Sequence, residues 1–290
     1  MYFYVAYQLG IHSAIVFPEL AALPDAPKDI SIRVRRIDSS ERQTRRNCNF
    51  AVGEVEGVGS YVFRSGNEII VEPAPGVEES ILRTTLLGPA MAVLLRQRGF
   101  AVLHASGVVS NGCAIAFLGQ PGWGKSTLAE VFYAHGYGVV TDDVLAVRID
   151  ESYVQVVPGY PSIKLFPDTS AFLGCEASAT HRVHSQTEKR AHCVALGFPQ
   201  GPLPLQRMYV LAGGERNEIE PLQPREVFLE LVRNARAVNF LRDRDSLNAH
   251  LQQCARLAKE VPTSRLRRRR VLSDIPDLVE LIQEDLAQDN

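Results

Sequence analysis

The sequence predicts an α/β chain in two parts: a small β-rich N-terminal domain over residues 1–76 and a larger α/β domain over residues 77–290. Three observations carry this. Residues 1–80 hold short runs of β-branched and aromatic residues separated by turn signals. The stretch Pro73-Ala74-Pro75-Gly76 then breaks the pattern. Beyond it, helical periodicity alternates with strand-like runs around one glycine-rich loop, Gly119–Ser126, which matches the P-loop pattern G-x-x-x-x-G-K-[ST] at every fixed position.

Composition excludes several classes. With 46% hydrophobic and 22% charged residues, the 290-residue chain has enough apolar surface to fold. Lys plus Arg number 31 against 33 Asp plus Glu, so no overall basic sheath exists for nucleic acid. The five cysteines are scattered and form no C-x-x-C, which speaks against a disulfide scaffold or zinc ribbon and fits a reducing compartment. No apolar run reaches eighteen residues. The apolar start lacks a basic region and alternates as a strand does, so a cytoplasmic protein away from the membrane is expected.

In order, strands are predicted at Tyr2–Tyr7, Ser13–Phe17, Ile30–Arg35, Asn49–Val52, Ser60–Arg64 and Glu68–Glu72. Apolar residues at helical spacing from Ile81 to Leu95 predict a helix over Glu78–Arg98, kinked or split at Gly88-Pro89. Strands follow at Ala101–Leu103, Gly107–Val109 and Ala114–Leu118, the last two joined by a hairpin turn at Ser110-Asn111-Gly112. A helix over Lys125–His135 stops at Gly136, and Tyr137–Thr141 reads as a buried strand ending at Asp142-Asp143. Val144–Arg148, Val154–Val157, Arg207–Leu211 and Arg265–Leu272 are further strands, and Val227–Leu241, Ser246–Lys259 and Ile275–Ala287 further helices.

The loop Gly119-Gln120-Pro121-Gly122-Trp123-Gly124-Lys125-Ser126 carries the chemistry. Its glycines let the backbone curl until successive N–H groups converge on phosphate oxygens, and the helix behind it adds its positive end. Lys125 places a point charge against the β- and γ-phosphates, and the Ser126 hydroxyl suits the coordination shell of Mg²⁺. Thr127 adds a second hydroxyl, with no assigned role. Trp123 either packs on the protein, the favoured reading, or forms a lid near the nucleotide. Asp142-Asp143 end the next strand, where a phosphoryl-transfer enzyme needs a carboxylate for Mg²⁺ and a base near an alcohol. Consecutive strand residues point to opposite faces, so one of the two is expected to face the γ-phosphate.

His104 in LHASGVV, the loop GQPGWGKST and the strand end VVTDDV follow one another at short spacing, with Lys125 standing 21 residues after His104 and Asp143 18 after Lys125. Together they resemble the catalytic domain of the HPr kinase/phosphorylase family over roughly residues 99–150. The resemblance implies a P-loop core of the HPr kinase/phosphoenolpyruvate carboxykinase type. It implies Asp143 as proton acceptor for a serine hydroxyl, His104 as an active-site histidine, Asp142 as the neighbouring or metal-binding carboxylate, and ATP or GTP with Mg²⁺ as cofactors. The family's acidic loop residue and its E-I-R-G-L-G stretch are absent. Pro158-Gly159-Tyr160-Pro161-Ser162-Ile163-Lys164-Leu165-Phe166-Pro167 stands there and is similar to divergent members found beside peptide-modification genes, which phosphorylate peptide hydroxyls; other relatives phosphorylate free serine.

Lys164 is read either as a contact of the γ-phosphate or product, or as a solvated loop lysine. Lys189-Arg190 are candidates for a further cation at the transition state. The basic runs Arg33–Arg36, Arg42–Arg46 and Arg265–Arg270 read as solvated strand faces, or as a surface for an acidic peptide; they lack the interleaved aromatics of a nucleic-acid site. The expected function is therefore γ-phosphoryl transfer to a serine-type hydroxyl on a peptide or protein. A small-molecule kinase acting on free serine and a nucleotide-binding regulatory module are the alternatives. Whether the N-terminal domain recognises substrate, caps the core or mediates a homo-oligomer is left open.

Overall fold

The computed structural model describes residues 1–44, 47–175, 179–184, 187–241, 243–269, 271 and 274–288. Among the described residues it is a mixed α/β structure with three sheets. The first has seven strands in the order β3-β1-β2-β4-β7-β6-β5: β1 Tyr2–Ala6, β2 Leu9–Ser13, β3 Ala21–Ala22, β4 Ile30–Val34, β5 Phe50–Val55, β6 Gly59–Arg64 and β7 Glu68–Pro73. Short helix α1, Ser39–Gln43, crosses between β4 and β5. The strand expected over Ser13–Phe17 is instead β2, which ends at Ser13. The reason is a two-residue hairpin turn at Tyr7-Gln8, both at positive φ (54° and 57°), which pairs Ala6 with Leu9. Neither residue is the glycine or asparagine that announces such a turn in a sequence.

The helix expected over Glu78–Arg98 forms as α2 Glu79–Thr85 and α3 Met91–Gln97, joined by a π-helical turn over Leu86–Ala90 that contains Gly88 and Pro89. Proline has no N–H to give to the ladder, and the widened turn accommodates that loss without breaking the rod. Its apolar face packs Leu86, Met91 and Leu94 into one core with Ile11, Ile32 and Phe63 of the first sheet. Val102, Val144 and Ala146 from the second sheet belong to that same core.

The second sheet has nine strands. Its main path runs β11-β9-β10-β17-β13-β12-β8, and β19 and β18 continue from β17. These are β8 Ala101–Leu103, β9 Ala105–Ser110, β10 Cys113–Leu118, β11 Val139–Thr141, β12 Leu145–Asp150, β13 Tyr153–Val157, β17 Leu203–Gly213, β18 Glu218–Pro221 and β19 Thr263–Arg268. Asn111-Gly112, at φ 49° and 76°, makes the primed turn that joins β9 to β10. Both faces of β10 are covered: Ala114, Ala116 and Leu118 pack under α6 Pro224–Arg233 and α7 Arg244–Glu260, while Ile115 and Phe117 pack under α4 Lys125–Ala134 and α8 Ile275–Ala287. A strand buried on two sides reads as a continuous apolar run, as CAIAFL does.

The third sheet, in the order β14-β16-β15, was not anticipated: β14 Ser162–Leu165, β15 Ala179–His184 and β16 Thr187–Cys193, with α5 Pro167–Phe172 between the first two. Prolines and polar residues mask strand patterning there. The helix expected to reach Leu241 stops at Arg233, because Ala235 bridges to Leu103 on β8 and Ala237 turns at φ 56°. The strand expected over Arg265–Leu272 is β19, which ends at Arg268; Arg270 and Leu272 lie outside the described residues, as do Arg45 and Arg46 of the basic run Arg42–Arg46. Among the described residues no helix is long and apolar enough to cross a membrane.

Candidate active site

The glycine-rich loop leaves β10 and enters α4 with three glycines, Gly119, Gly122 and Gly124, at φ 147°, 80° and 82°. Gly124 has a second constraint: a Cβ there would sit 2.3 Å from Arg268 Nη2. The loop opens on a cleft of about 670 Å³ lined by Pro121, Gly122, Gly124, Lys125, Ser126 and Thr127 on one side and by His104, Asp142, Asp143, Lys164 and Arg236 on the other. The start of α4 borders this space, and the first N–H groups of any helix have no partner within the helix, an arrangement suited to an anion. Gly119 and Gln120 are not among the residues that line it. Trp123 packs against the core beside Gly213 rather than lining the cleft, and its carbonyl accepts from Arg268 Nη2 at 2.7 Å.

Lys125 is folded back on its own loop. Its Nζ donates to the carbonyls of Gly119 (2.6 Å) and Gln120 (3.2 Å). Burial pulls its pKa down to about 8, and the charges of Asp142 and Asp143 offset only part of that fall. An incoming phosphate would exchange with two neutral carbonyls and restore the full charge of the lysine.

The two carboxylates, both past the end of β11, face different partners. Asp142 turns to the loop: its Oδ1 accepts from Ser126 Oγ (2.9 Å) and Ser106 Oγ (2.6 Å), and its Oδ2 accepts from the Lys164 backbone N–H (3.0 Å). Asp143 turns to the far wall. Its Oδ1 pairs with His104 Nδ1 at 2.9 Å and with Arg236 Nη2, and its Oδ2 pairs with Lys164 Nζ at 3.3 Å. Burial alone would raise the Asp143 pKa, but Lys164, His104 and Arg236 outweigh it and hold the carboxyl well below its ordinary value. The reverse holds for Lys164: burial would lower it, and Tyr160, Asp143 and Asp142 raise it instead. Asp143 also sits at φ 79°, a left-handed conformation costing a non-glycine residue about 1–2 kcal/mol, and that twist lets adjacent carboxylates diverge.

Ser126 Oγ and the Asp142 carboxylate form a hard, all-oxygen donor pair across the mouth of the loop, the set that Mg²⁺ takes together with phosphate oxygens. Among the described residues no three His, Cys, Asp or Glu side chains gather into a metal cluster of their own.

Of the other candidates, Lys189 lines the cleft with its Nζ 4.9 Å over the Phe166 ring, whereas Arg190 is exposed and does not line it, because neighbours on β16 point to opposite sides. Lys164 is not a loop residue: it lies on β14 with a side chain 11% exposed. Four residues were missed. Ser106 follows His104 by two, and period-two spacing within LHASGVV could have flagged it. Arg268 was visible only as one of a basic run. Asn234 and Arg236 left no signal, since they were expected inside a helix. Asn234 Oδ1 accepts from the Gly119 N–H at 3.1 Å, its carbonyl accepts from the His104 N–H at 2.7 Å, and the Arg236 N–H donates to the Val102 carbonyl at 2.9 Å. Asn234→Ala is expected to leave the buried Gly119 N–H unpaired and cost about 1–3 kcal/mol, read as a lowered midpoint in urea unfolding.

No family model matches this chain, and no curated protein does. Among solved structures, the HPr(Ser) kinase/phosphatase from Coxiella burnetii is similar over 65% of this chain and 99% of that one, with 10% sequence identity and a TM-score of 0.36. At that similarity, function must be argued from the site's own geometry.

Proposed function

We propose that the chain is a P-loop kinase that moves the γ-phosphoryl group of ATP or GTP to a serine-type hydroxyl on a peptide or protein. One observation supports this above the others: Asp142 is bound to the glycine-rich loop through Ser126, while Asp143, the next residue, is bound away from it by His104, Lys164 and Arg236. Donor and acceptor chemistry are divided between two adjacent side chains.

In this reading the loop N–H groups and Lys125 hold the triphosphate, and Ser126 with Asp142 would hold Mg²⁺, which when bound supplies charge neutralisation on the β- and γ-phosphates. The alcohol oxygen attacks the γ-phosphorus in line, the bond to the β–γ bridging oxygen breaks, and the hydroxyl proton passes to Asp143. A carboxylate held at so low a pKa is a weak base. It suffices because phosphoryl transfer proceeds through a loose transition state in which the alcohol loses its proton late. Lys164 and Arg236 offset the negative charge that Asp143 would otherwise set against the incoming phosphate. We divide the chain at residue 76, with the N-terminal sheet and α2 walling the acceptor side.

The experiment is label transfer from γ-³²P-ATP with Mg²⁺, run with no acceptor, with free serine and with serine peptides, beside a titration of the emission of Trp123, the chain's one tryptophan, with Mg·ATP. Labelled peptide is the expected result. Labelled free serine alone would make this a small-molecule kinase, and nucleotide binding without transfer to any acceptor would make it a regulatory module.

A further inference from the structure

A recess of about 160 Å³ lies between α3 and α7 and shares no lining residue with the candidate active-site cleft. Its walls are apolar at Val93, Phe100, Phe240 and Leu241, and the charge on its lining is that of Arg96. The Arg96 guanidinium is tied to neutral groups: Nε donates to the Arg236 carbonyl, Nη2 to the Val102 carbonyl at 3.0 Å and Nη1 to His250 Nδ1 at 3.3 Å. Each nitrogen gives one proton to the protein, and the second proton of each Nη has no partner among the described residues. Arg96 has no carboxylate partner among those residues either, and no Asp or Glu lines the recess. Asp243, the N-cap of α7, is committed to the Ser246 N–H and Oγ, each at 2.8 Å. Burial pulls the Arg96 pKa down to about 10, and the Cys254 thiol offsets only part of that fall. That thiol is itself pushed up to about 11 by burial, and burial together with Arg96 pulls His250 down to about 4, so both are neutral at pH 7. Charges withdrawn from water are paired in folded proteins, so a guanidinium without a counter-charge on the wall of a recess points to an anion that arrives from outside.

We propose that this recess binds a small organic carboxylate, with its oxygens on the Arg96 guanidinium and its apolar body among Val93, Phe100 and Phe240. A carboxylate matches the planar fork of a guanidinium and takes charge-assisted hydrogen bonds from it. A space of about 150 Å³ holds a benzene ring, so a body of that size fits. The apolar walls favour such a ligand over an inorganic anion, which would have to shed its water against Val93 and Leu241. The site is independent of the kinase reading, since neither the glycine-rich loop nor Asp143 lines this space.

The test is calorimetry on the whole chain with Mg·ADP present, using benzoate, its neutral counterpart benzamide, acetate and sulfate as probes. Benzoate is expected to bind about tenfold or more tightly than benzamide, through the charge, and than acetate, through the ring. Arg96→Met should erase the difference between benzoate and benzamide. Because Arg96 also fastens Arg236 and His250, a second variant is needed that leaves the guanidinium in place. Ala249→Phe starts from an exposed position of α7 on the rim, fills the recess, and should abolish benzoate binding while leaving Mg·ADP affinity unchanged. Benzoate that fails to bind, binds no more tightly than benzamide, or binds undiminished to the Ala249→Phe protein would overturn the site. Sulfate binding more tightly than benzoate would overturn the organic ligand. None of these outcomes bears on the nucleotide reading.

Discussion

Asp143→Asn is expected to lower the transfer rate by about 10²- to 10⁴-fold, the range over which a positioned base acts, without weakening nucleotide binding. Asparagine keeps the shape of the side chain but cannot take the alcohol proton. Lys164 and Arg236 would lose their shared counter-charge, so affinity for a polyanion holds or rises. Single-turnover transfer, read beside the Trp123 titration, separates the two effects. The same change should cost about 2–3 kcal/mol of stability, because cations held in a partly buried cluster are left uncompensated. The pH dependence has a definite sign. Asp143 has a folded pKa below its unfolded one, so its contribution is whole above the ordinary carboxylate range and is lost as pH falls below about 4 towards the folded value. The stability gap between the two proteins should therefore stay constant from pH 7 to pH 5 and close below that. A variant that transfers phosphate at the wild-type rate would remove Asp143 from the mechanism.

Lys125→Met should separate binding from stability. Losing charge-assisted contacts to phosphate is expected to weaken ATP by about 10- to 100-fold. The folded protein, however, should gain stability at neutral pH, by up to about 3 kcal/mol, because the wild type keeps a buried ammonium whose pKa has dropped from 10.5 to about 8. In the wild type that penalty is present below about pH 8 and relieved as pH rises towards 10.5, where the unfolded chain still holds the proton that the folded one has released. Wild-type stability from this group thus rises across that window, and the methionine variant lacks the rise. Nucleotide binding recharges the lysine, so ATP affinity should fall above about pH 8, with proton uptake visible as buffer-dependent binding heats. A flat affinity profile from pH 7 to 9.5 would place Lys125 away from the phosphates.

What could be read from the sequence was local. The loop from Gly119 to Ser126, its strand and its helix are contiguous, and their residue types follow from backbone conformation. Asp142 and Asp143 sit one helix away, just past the end of β11; alternation leads to the expectation that they part, but the structure parts them through the left-handed backbone of Asp143, which residue types do not announce. His104, Lys125, Ser126, both aspartates and Lys164 do gather in one cleft. What escaped depends on contacts made far along the chain. Arg236 meets Asp143 across 93 positions, and Asn234 meets Gly119 across 115. Apolar periodicity carried the expected helix through both, since nothing in the residue types says that the chain leaves α6 at Arg233 to run beside β8. The turn at Tyr7-Gln8 escaped for a related reason: positive φ was adopted by residues that rarely take it, stabilised by pairing on either side.

The run from Asn234 to Arg236 has a mechanical consequence. Within it two residues make three fastenings: Asn234 holds the N–H of Gly119 through its side chain and that of His104 through its carbonyl, and Arg236 holds the Asp143 carboxylate. A displacement of this stretch would act on all three points at once, so Gly119, His104 and Asp143 are tied to one another through it. In the proposed reaction the two ends of the transfer would share one reference, a stretch of chain far from both in sequence.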